Sequence, residues 1–255
     1  MELHDFWFFL ICVLWSGYFV LEGFDFGVGM LIPVLGRSEE DRGTLLGTIG
    51  PVWDGNEVWL VTAAGATFAA FPQWYATMFS GFYIALLLVL VLLIVRVVSF
   101  EWREKVDSDR WQGVWTGANV VASYGIPLLW GVALTSLLAG VPVGEDKEFT
   151  GNVFDLFSWY SVLGGVAFMA LFAWHGSVFI TLRTAGAMKE RAHRLSLRLA
   201  PFSVLLTVAF LVATLWTGVD ANDKGLVGGL VIIPLAVAAL LTAWFMAGRR
   251  REGVA

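Results

Sequence analysis

Asp54 and Glu57 stand three residues apart in the stretch Gly50-Pro51-Val52-Trp53-Asp54-Gly55-Asn56-Glu57-Val58-Trp59-Leu60. Asn56 lies between them, and a tryptophan flanks the group on either side. Val61 to Phe71 follows and is almost wholly apolar, so the two carboxyls open a segment with the character of a membrane span. A second pair, Glu22 and Asp25, lies inside the apolar run Phe6–Leu35. Acids inside a span are costly to keep unless they are paired, hydrated or able to take up protons. The chemistry such groups offer is proton or cation transfer. His175, in Ala-Trp-His-Gly-Ser, is the one intramembrane histidine; it can act as a proton relay, a haem ligand or a hydrogen-bonded packing residue. One histidine cannot build a bis-histidine haem site, and His4 falls at the surface. The lone cysteine, Cys12, excludes an intrachain disulfide and any multi-cysteine metal site. No phosphate-cradling loop, nucleophile elbow, zinc spacing or nucleic-acid-binding pattern is present, and no nucleic-acid partner is expected.

The elements that must position these residues are helices in a bilayer. The 255 residues are 58% hydrophobic and only 15% charged, with a mean hydropathy of +0.75, far from a soluble globular average. Thirteen Trp and twenty Phe suit a surface that faces lipid and ends at its interfaces. Seven apolar segments are each long enough for a hydrocarbon core of about 30 Å: Phe6–Leu35, Pro51–Phe71, Met78–Val98, Val114–Gly140, Phe157–Leu182, Pro201–Gly218 and Leu226–Ala247. The expected fold is an all-α, polytopic membrane helix bundle, one transmembrane domain over residues 1–255. The leading Met-Glu-Leu-His-Asp is acidic where a cleaved signal peptide needs Lys or Arg, and the run behind it carries Glu22 and Asp25.

Basic residues fix the expected orientation. Fourteen of the sixteen Lys and Arg fall after the first, at or after the third, after the fifth and after the seventh segments. The opposite loops hold only Lys147 and Lys224, beside Glu145, Asp146, Glu148, Asp220 and Asp223. The positive-inside rule then puts the N-terminus outside and the C-terminus in the cytoplasm. The polar stretches Arg37–Thr44, Glu101–Gln112 and Lys189–Arg198 read as cytoplasmic loops, and the last of them as a topology determinant without further function.

In this topology Asp54 and Glu57 lie one to two turns from the cytoplasmic end of the second span, and Glu22 and Asp25 in the cytoplasmic half of the first. Each pair, at i, i+3, shares a helix face about 4.5 Å apart along the axis. Consecutive spans on a short loop pack antiparallel, so the two pairs can meet, with Asp54 desolvated among them. The competing reading is that the acids pair with Arg96, His175 or backbone groups and only fix helix packing. Four carboxyls on one side favour a proton or cation path. Gly23-x-x-x-Gly27, with Gly29 next, permits close helix approach, and Pro33, Pro127 and Pro234 kink or end helices.

Four motifs carry a resemblance. Gly23-Phe24-Asp25-Phe26-Gly27-Val28-Gly29 resembles the Gly-Phe-Asp-x-Gly-Val-Gly element of subunit II of the cytochrome bd-type quinol oxidases. Trp53-Asp54-Gly55-Asn56-Glu57-Val58-Trp59-Leu60 resembles that family's Trp-Asp-Gly-Asn-Gln/Glu-Val-Trp-Leu motif. Phe79-Ser80-Gly81-Phe82-Tyr83 is similar to the start of its third helix, with Arg96 at that helix's inner end. Gly140-Val141-Pro142 and Thr150-Gly151-Asn152 are similar to its outer loop before helix five.

The resemblance implies a subunit of a terminal respiratory oxidase in the bacterial cytoplasmic membrane, taking electrons from quinol and reducing dioxygen to water. It implies a partner, cytochrome bd subunit I, that carries haem b, haem d and the quinol-oxidising loop. The present chain would bind no haem through its own ligands. It would support assembly, beside membrane lipid, quinone and possible small accessory subunits, and supply Asp54 and Asp25 to a cytoplasmic proton route, with Glu22 and Glu57 as further candidates. Some relatives carry Gln where Glu57 stands, and members usually continue for about two more helices. The alternatives are a proton-coupled membrane transporter and a purely structural assembly subunit.

Overall fold

The computed structural model describes residues 2–146, 148–221 and 223–253, and the side chains outside 218–228. Its elements are α1 (Leu3–Leu35), α2 (Glu39–Ile49), α3 (Trp53–Ala70), α4 (Pro72–Gly81), α5 (Tyr83–Arg103), α6 (Asp109–Ala139), a 3₁₀ turn (Val153–Leu156), α7 (Trp159–Arg183), α8 (Gly186–Ala221) and α9 (Asp223–Gly248). Apart from one isolated bridge, Val143 to Phe149, the described residues form helices and loops. The all-α expectation holds. Among the described residues six helices, α1, α5, α6, α7, α8 and α9, are long and apolar enough to cross a membrane. The other segment expected to span is α3, whose eighteen residues include Asp54, Asn56 and Glu57 in its first turns.

Contacts between neighbours show an up-and-down bundle. Trp15 meets Thr67 and Asp25 meets Asn56, so α1 and α3 run antiparallel. Ser99 meets Asn119 and Arg103 meets Thr116, so α5 and α6 do too. Tyr160 bonds Thr214 while Ser203 bonds the Ala170 carbonyl, which makes α7 and α8 antiparallel. Without a hydrophobic drive between spans, close approach of small residues and a few interhelical hydrogen bonds hold such helices together. A close crossing joins α1 to α7. A Cβ at Gly27 would sit 1.9 Å from the Phe172 carbonyl oxygen and 2.8 Å from the Gly176 Cα, so the Gly23-x-x-x-Gly27 spacing has a definite partner. Gly27→Ala forces these backbones apart and is expected to cost about 1–3 kcal/mol or more. Gly43→Ala, exposed inside α2 and with nothing among the described residues within 4 Å of its Cβ, should instead raise stability by about 0.5–1 kcal/mol, the helix-interior cost of glycine. Thermal midpoints of the two purified variants check this, and equal midpoints would refute it.

Two polar stretches read as loops are helical. α2 begins at Ser38, whose Oγ accepts from the Asp41 amide at 3.1 Å, and Glu39, Glu40 and Asp41 fill its first turn, both favourable at a helix start. It buries Leu45, Thr48 and Ile49, the two aliphatics against Leu31, Ile32, Leu35, Ile180 and Met188. Its acids tie it down: Asp41 accepts from Arg191 Nη2 at 2.5 Å, and Glu39 pairs with Arg103. The Arg191 hydrogen bond holds the Asp41 carboxyl below its ordinary range. Lys189–Arg198 is likewise part of α8, because nothing between Gly186 and Pro201 interrupts the backbone hydrogen bonds.

At the opposite end, α6 stops at Gly140, whose φ of 88° suits glycine. Asn152 caps the 3₁₀ turn through the Phe154 amide. Ser136 and Ser161 both donate to the Leu156 carbonyl, and Phe149 lies over Gly81, where a Cβ would meet its ring at 2.8 Å. The motifs around Gly81, Gly140 and Gly151 therefore form one packed end of the bundle.

Candidate functional site

Helix period decides which acids turn inward. Residues two apart on a helix point about 200° apart, and residues three apart about 60° apart. With Asn56 turned to α1, Glu57 falls at the edge of the buried face and Asp54 on the far side. The structure has this arrangement: Asn56 is buried, Glu57 half-buried and Asp54 exposed.

The cluster lies where α1, α3 and α5 meet. Arg96, wholly buried, donates from Nη1 to Glu22 at 3.0 Å and to Glu57 at 3.4 Å. Its guanidinium lies 4.7 Å from the Phe26 ring centroid and 5.4 Å from that of Phe100, contacts that favour a desolvated cation. Asn56 Nδ2 donates to Asp25 at 2.7 Å. Glu22 and Asp25 are both fully buried. Among the described residues, one oxygen of each, with Nε and Nη2 of Arg96 and the hydroxyl of Tyr18, lacks a hydrogen-bond partner. Buried polar atoms of both kinds in one place suit ordered water. Three carboxyls face one guanidinium, and a single cation can neutralise one of them. The others require hydration, hydrogen bonds or protons.

Of the four acids expected to meet, Glu22, Asp25 and Glu57 do. Asp54 makes no hydrogen bond or ion pair with the cluster among the described residues, so the desolvated Asp54 expected from the sequence is not found. Asn56, which the sequence reading passed over, supplies the direct contact between the two motifs. The signal was its offset of two from Asp54, which puts the amide and that acid on opposite faces. His175 stands apart. It packs edge-on against Phe24 with centroids 5.6 Å apart and borders a cavity of about 480 Å³ lined largely by apolar side chains. It pairs with no acid among the described residues. The described residues hold no group of three or more His, Cys, Asp and Glu suited to a metal ion.

Fold and cluster together define a multi-span helical membrane protein that keeps several acids around one arginine inside the bundle. The chain belongs to the cytochrome bd terminal oxidase subunit II family, whose sequence profile matches residues 3–255. It is 44% identical over 240 residues to the cytochrome bd ubiquinol oxidase subunit 2 of Bacillus subtilis (strain 168), covering 94% of this chain and 70% of that one. It is 40% identical over 220 residues to the cytochrome bd-I ubiquinol oxidase subunit 2 of Escherichia coli (strain K12), covering 84% and 57%. The probable cytochrome oxidase subunit 2 of Haemophilus influenzae is 40% identical over 214 residues, covering 82% and 56%. The chain thus spans little more than half the length of the last two relatives. A chain of the bd oxidase structure from Geobacillus thermodenitrificans superposes with a TM-score of 0.82 at 17% identity, covering 99% of this chain and 78% of that one. At that identity the likeness concerns the fold. Membership makes this a multi-span protein of the bacterial cytoplasmic membrane and part of a respiratory oxidase.

Proposed function

We propose that this chain is the subunit of a quinol:dioxygen oxidoreductase that binds no haem through its own ligands, assembles with a haem-bearing subunit I, and carries protons from the cytoplasm through its buried acids. The observation that supports this most directly is the excess of buried carboxyls over cations around Arg96, with unpartnered oxygens on Glu22 and Asp25. Reduction of dioxygen to water consumes protons, and a relay needs groups that gain and lose them within hydrogen-bond reach of one another or of water. Asp54 serves in this reading as the surface group at the mouth, Glu57 as the half-buried step, and Asp25 with Glu22 as the inner acids. Haem b and haem d belong to the partner, where quinol is oxidised. Accessory subunits, lipid and quinone border the complex.

A purely structural role is the second reading, and the Glu22–Arg96–Glu57 ion pairs favour it. The two readings agree on partnership. The tagged chain, purified gently from its own membrane, is expected to bring a haem-bearing protein with it and to show haem bands in a reduced-minus-oxidised spectrum; expressed without that partner it shows none. Stoichiometric haem in the isolated chain, or a co-purifying partner without haem, would overturn the assignment. A proton-coupled transporter would purify without a haem-bearing partner.

A further inference from the structure

The buried faces of α5 and α6 change character along their length. On α5 the buried residues are Ala85, Val89 and Leu93, then Arg96, Ser99 and Arg103. On α6 the buried run is Thr116, Asn119, Ala122 and Ser123, followed by Ile126, Pro127 and Trp130. Half of the seam is apolar and the other half, toward α2, is polar. Arg103, 5% exposed, pairs with Glu39 of α2 at the surface, and its Nε donates to Thr116 Oγ1 at 3.0 Å. One turn deeper, Asn119 Nδ2 donates to Ser99 Oγ at 3.0 Å, and Ser99 Oγ donates to the Arg96 carbonyl at 2.5 Å. Ser123 donates to Asn119 Oδ1 at 3.4 Å. The sequence of groups ends at Arg96, whose Nε and Nη2 are unpartnered beside the unpartnered Glu22 oxygen.

Two or three interhelical hydrogen bonds suffice to hold a pair of spans together. A run that begins at a charged surface, continues through four hydroxyl and amide side chains, and stops where the acids begin does more than that. Polar side chains inside a bundle line water-filled paths or bind one another, and here the inner end retains donors and acceptors that water would satisfy. Leu93, Ile126 and Trp130 then close the seam beyond Arg96.

We propose that the polar half of the α5–α6 seam is a water-filled access path from the α2 surface to the Glu22–Arg96 cluster, separate from the exposed Asp54 and Glu57 side. It rests on the proton-carrying reading given above. Water enters beside Glu39 and Arg103, passes Thr116 and the Asn119–Ser99 pair, and reaches the acids at Arg96. It delivers protons to the cluster without passing Asp54.

The test uses the intact complex in detergent, so that both membrane faces are open to reagent. Exposed Cys12 is first replaced by Ser. Single cysteines are then placed at Ser99, at Asn119 and, as the dry control, at Ile126, which is wholly buried in the apolar cluster beyond Arg96. A small water-soluble thiol reagent is followed by the mass of this chain. Thiols reachable by water are expected to react on the order of tenfold faster than the Ile126→Cys control, because a thiol sealed in apolar surroundings is inert. Turnover is measured before and after labelling, with the haem spectrum as the check on integrity. Alkylating Ser99→Cys should slow oxygen reduction several-fold with unchanged haem bands, and Asn119→Cys should behave alike. If neither cysteine reacts faster than Ile126→Cys, the seam is dry and the path is wrong. Should they react and turnover stay the same, the seam is wet but carries nothing, and the proposal falls as well. Loss of turnover in Asp25→Asn beside either result would leave the proton-carrying reading standing on its own.

Discussion

Replacing Arg96 by Gln is expected to destabilise the folded chain by about 3–5 kcal/mol, the range for removing one partner of a buried ion pair. Arg96 is the cation that Glu22 and Glu57 share, and Glu22 is wholly buried. The glutamine amide can still donate a hydrogen bond but carries no charge, so the two carboxyls lose their counterion inside the bundle. Arg96→Lys should fall between wild type and Gln, because an ammonium keeps the charge and gives up the planar contacts with Phe26 and Phe100. Removing the acid together with the base, as in Arg96→Met with Glu22→Met, should recover part of the loss, since partners in one network are not additive. Thermal midpoints of the four purified proteins check the series. An Arg96→Gln protein as stable as wild type would mean that the ion pairs contribute nothing and that the acids are satisfied by water or protons alone.

The spans were legible because a run of some twenty apolar residues has few other uses, and each long apolar helix overlaps the segment read from hydropathy. α2 was missed for the same physical reason inverted. Its eleven residues are mostly charged or small, and hydropathy sees only a loop. Its signals were local: Ser38 capping the Asp41 amide, and Leu45 with Ile49 at i, i+4 on one face. The run Lys189–Arg198 was misread likewise, since positive charge marks a side of the membrane and says nothing about whether the helix continues through it. At the candidate site, residue types pointed to the right neighbourhood, but a spacing of three was taken as one shared face. The 60° between Asp54 and Glu57 was enough, at the edge of a buried face, to leave one exposed and bring the other to Arg96. The pairing of Asn56 with Asp25 depends on the register between α1 and α3, which is set by contacts such as the Trp59 ring over Gly17. No spacing within either motif contains that register.

Asp25→Asn is expected to abolish most quinol oxidase turnover of the complex while leaving its haem spectrum intact. The substitution preserves size and keeps an oxygen facing Asn56 at the 2.7 Å contact, so the α1–α3 junction should survive. The amide cannot ionise, and loss of a proton-transferring group lowers rates by about 10²-fold or more. Asp25→Glu should retain a measurable part, because the acid remains and only its reach changes. Asp54→Asn is expected to have a smaller effect than Asp25→Asn. Asp54 is exposed on the outer side of α3 and makes no hydrogen bond or ion pair with the cluster among the described residues, whereas Asp25 is enclosed at the α1–α3 junction and accepts directly from Asn56. Oxygen consumption with saturating quinol, normalised to haem content, separates the outcomes. Equal turnover in wild type and Asp25→Asn would remove the inner acids from the relay and leave them as packing groups. Activity and haem lost together would show that Asp25 holds the two subunits in register. If Asp54→Asn proved the more damaging of the two, the outer face of α3 would have to be enclosed in the complex, with Asp54 as an obligatory step.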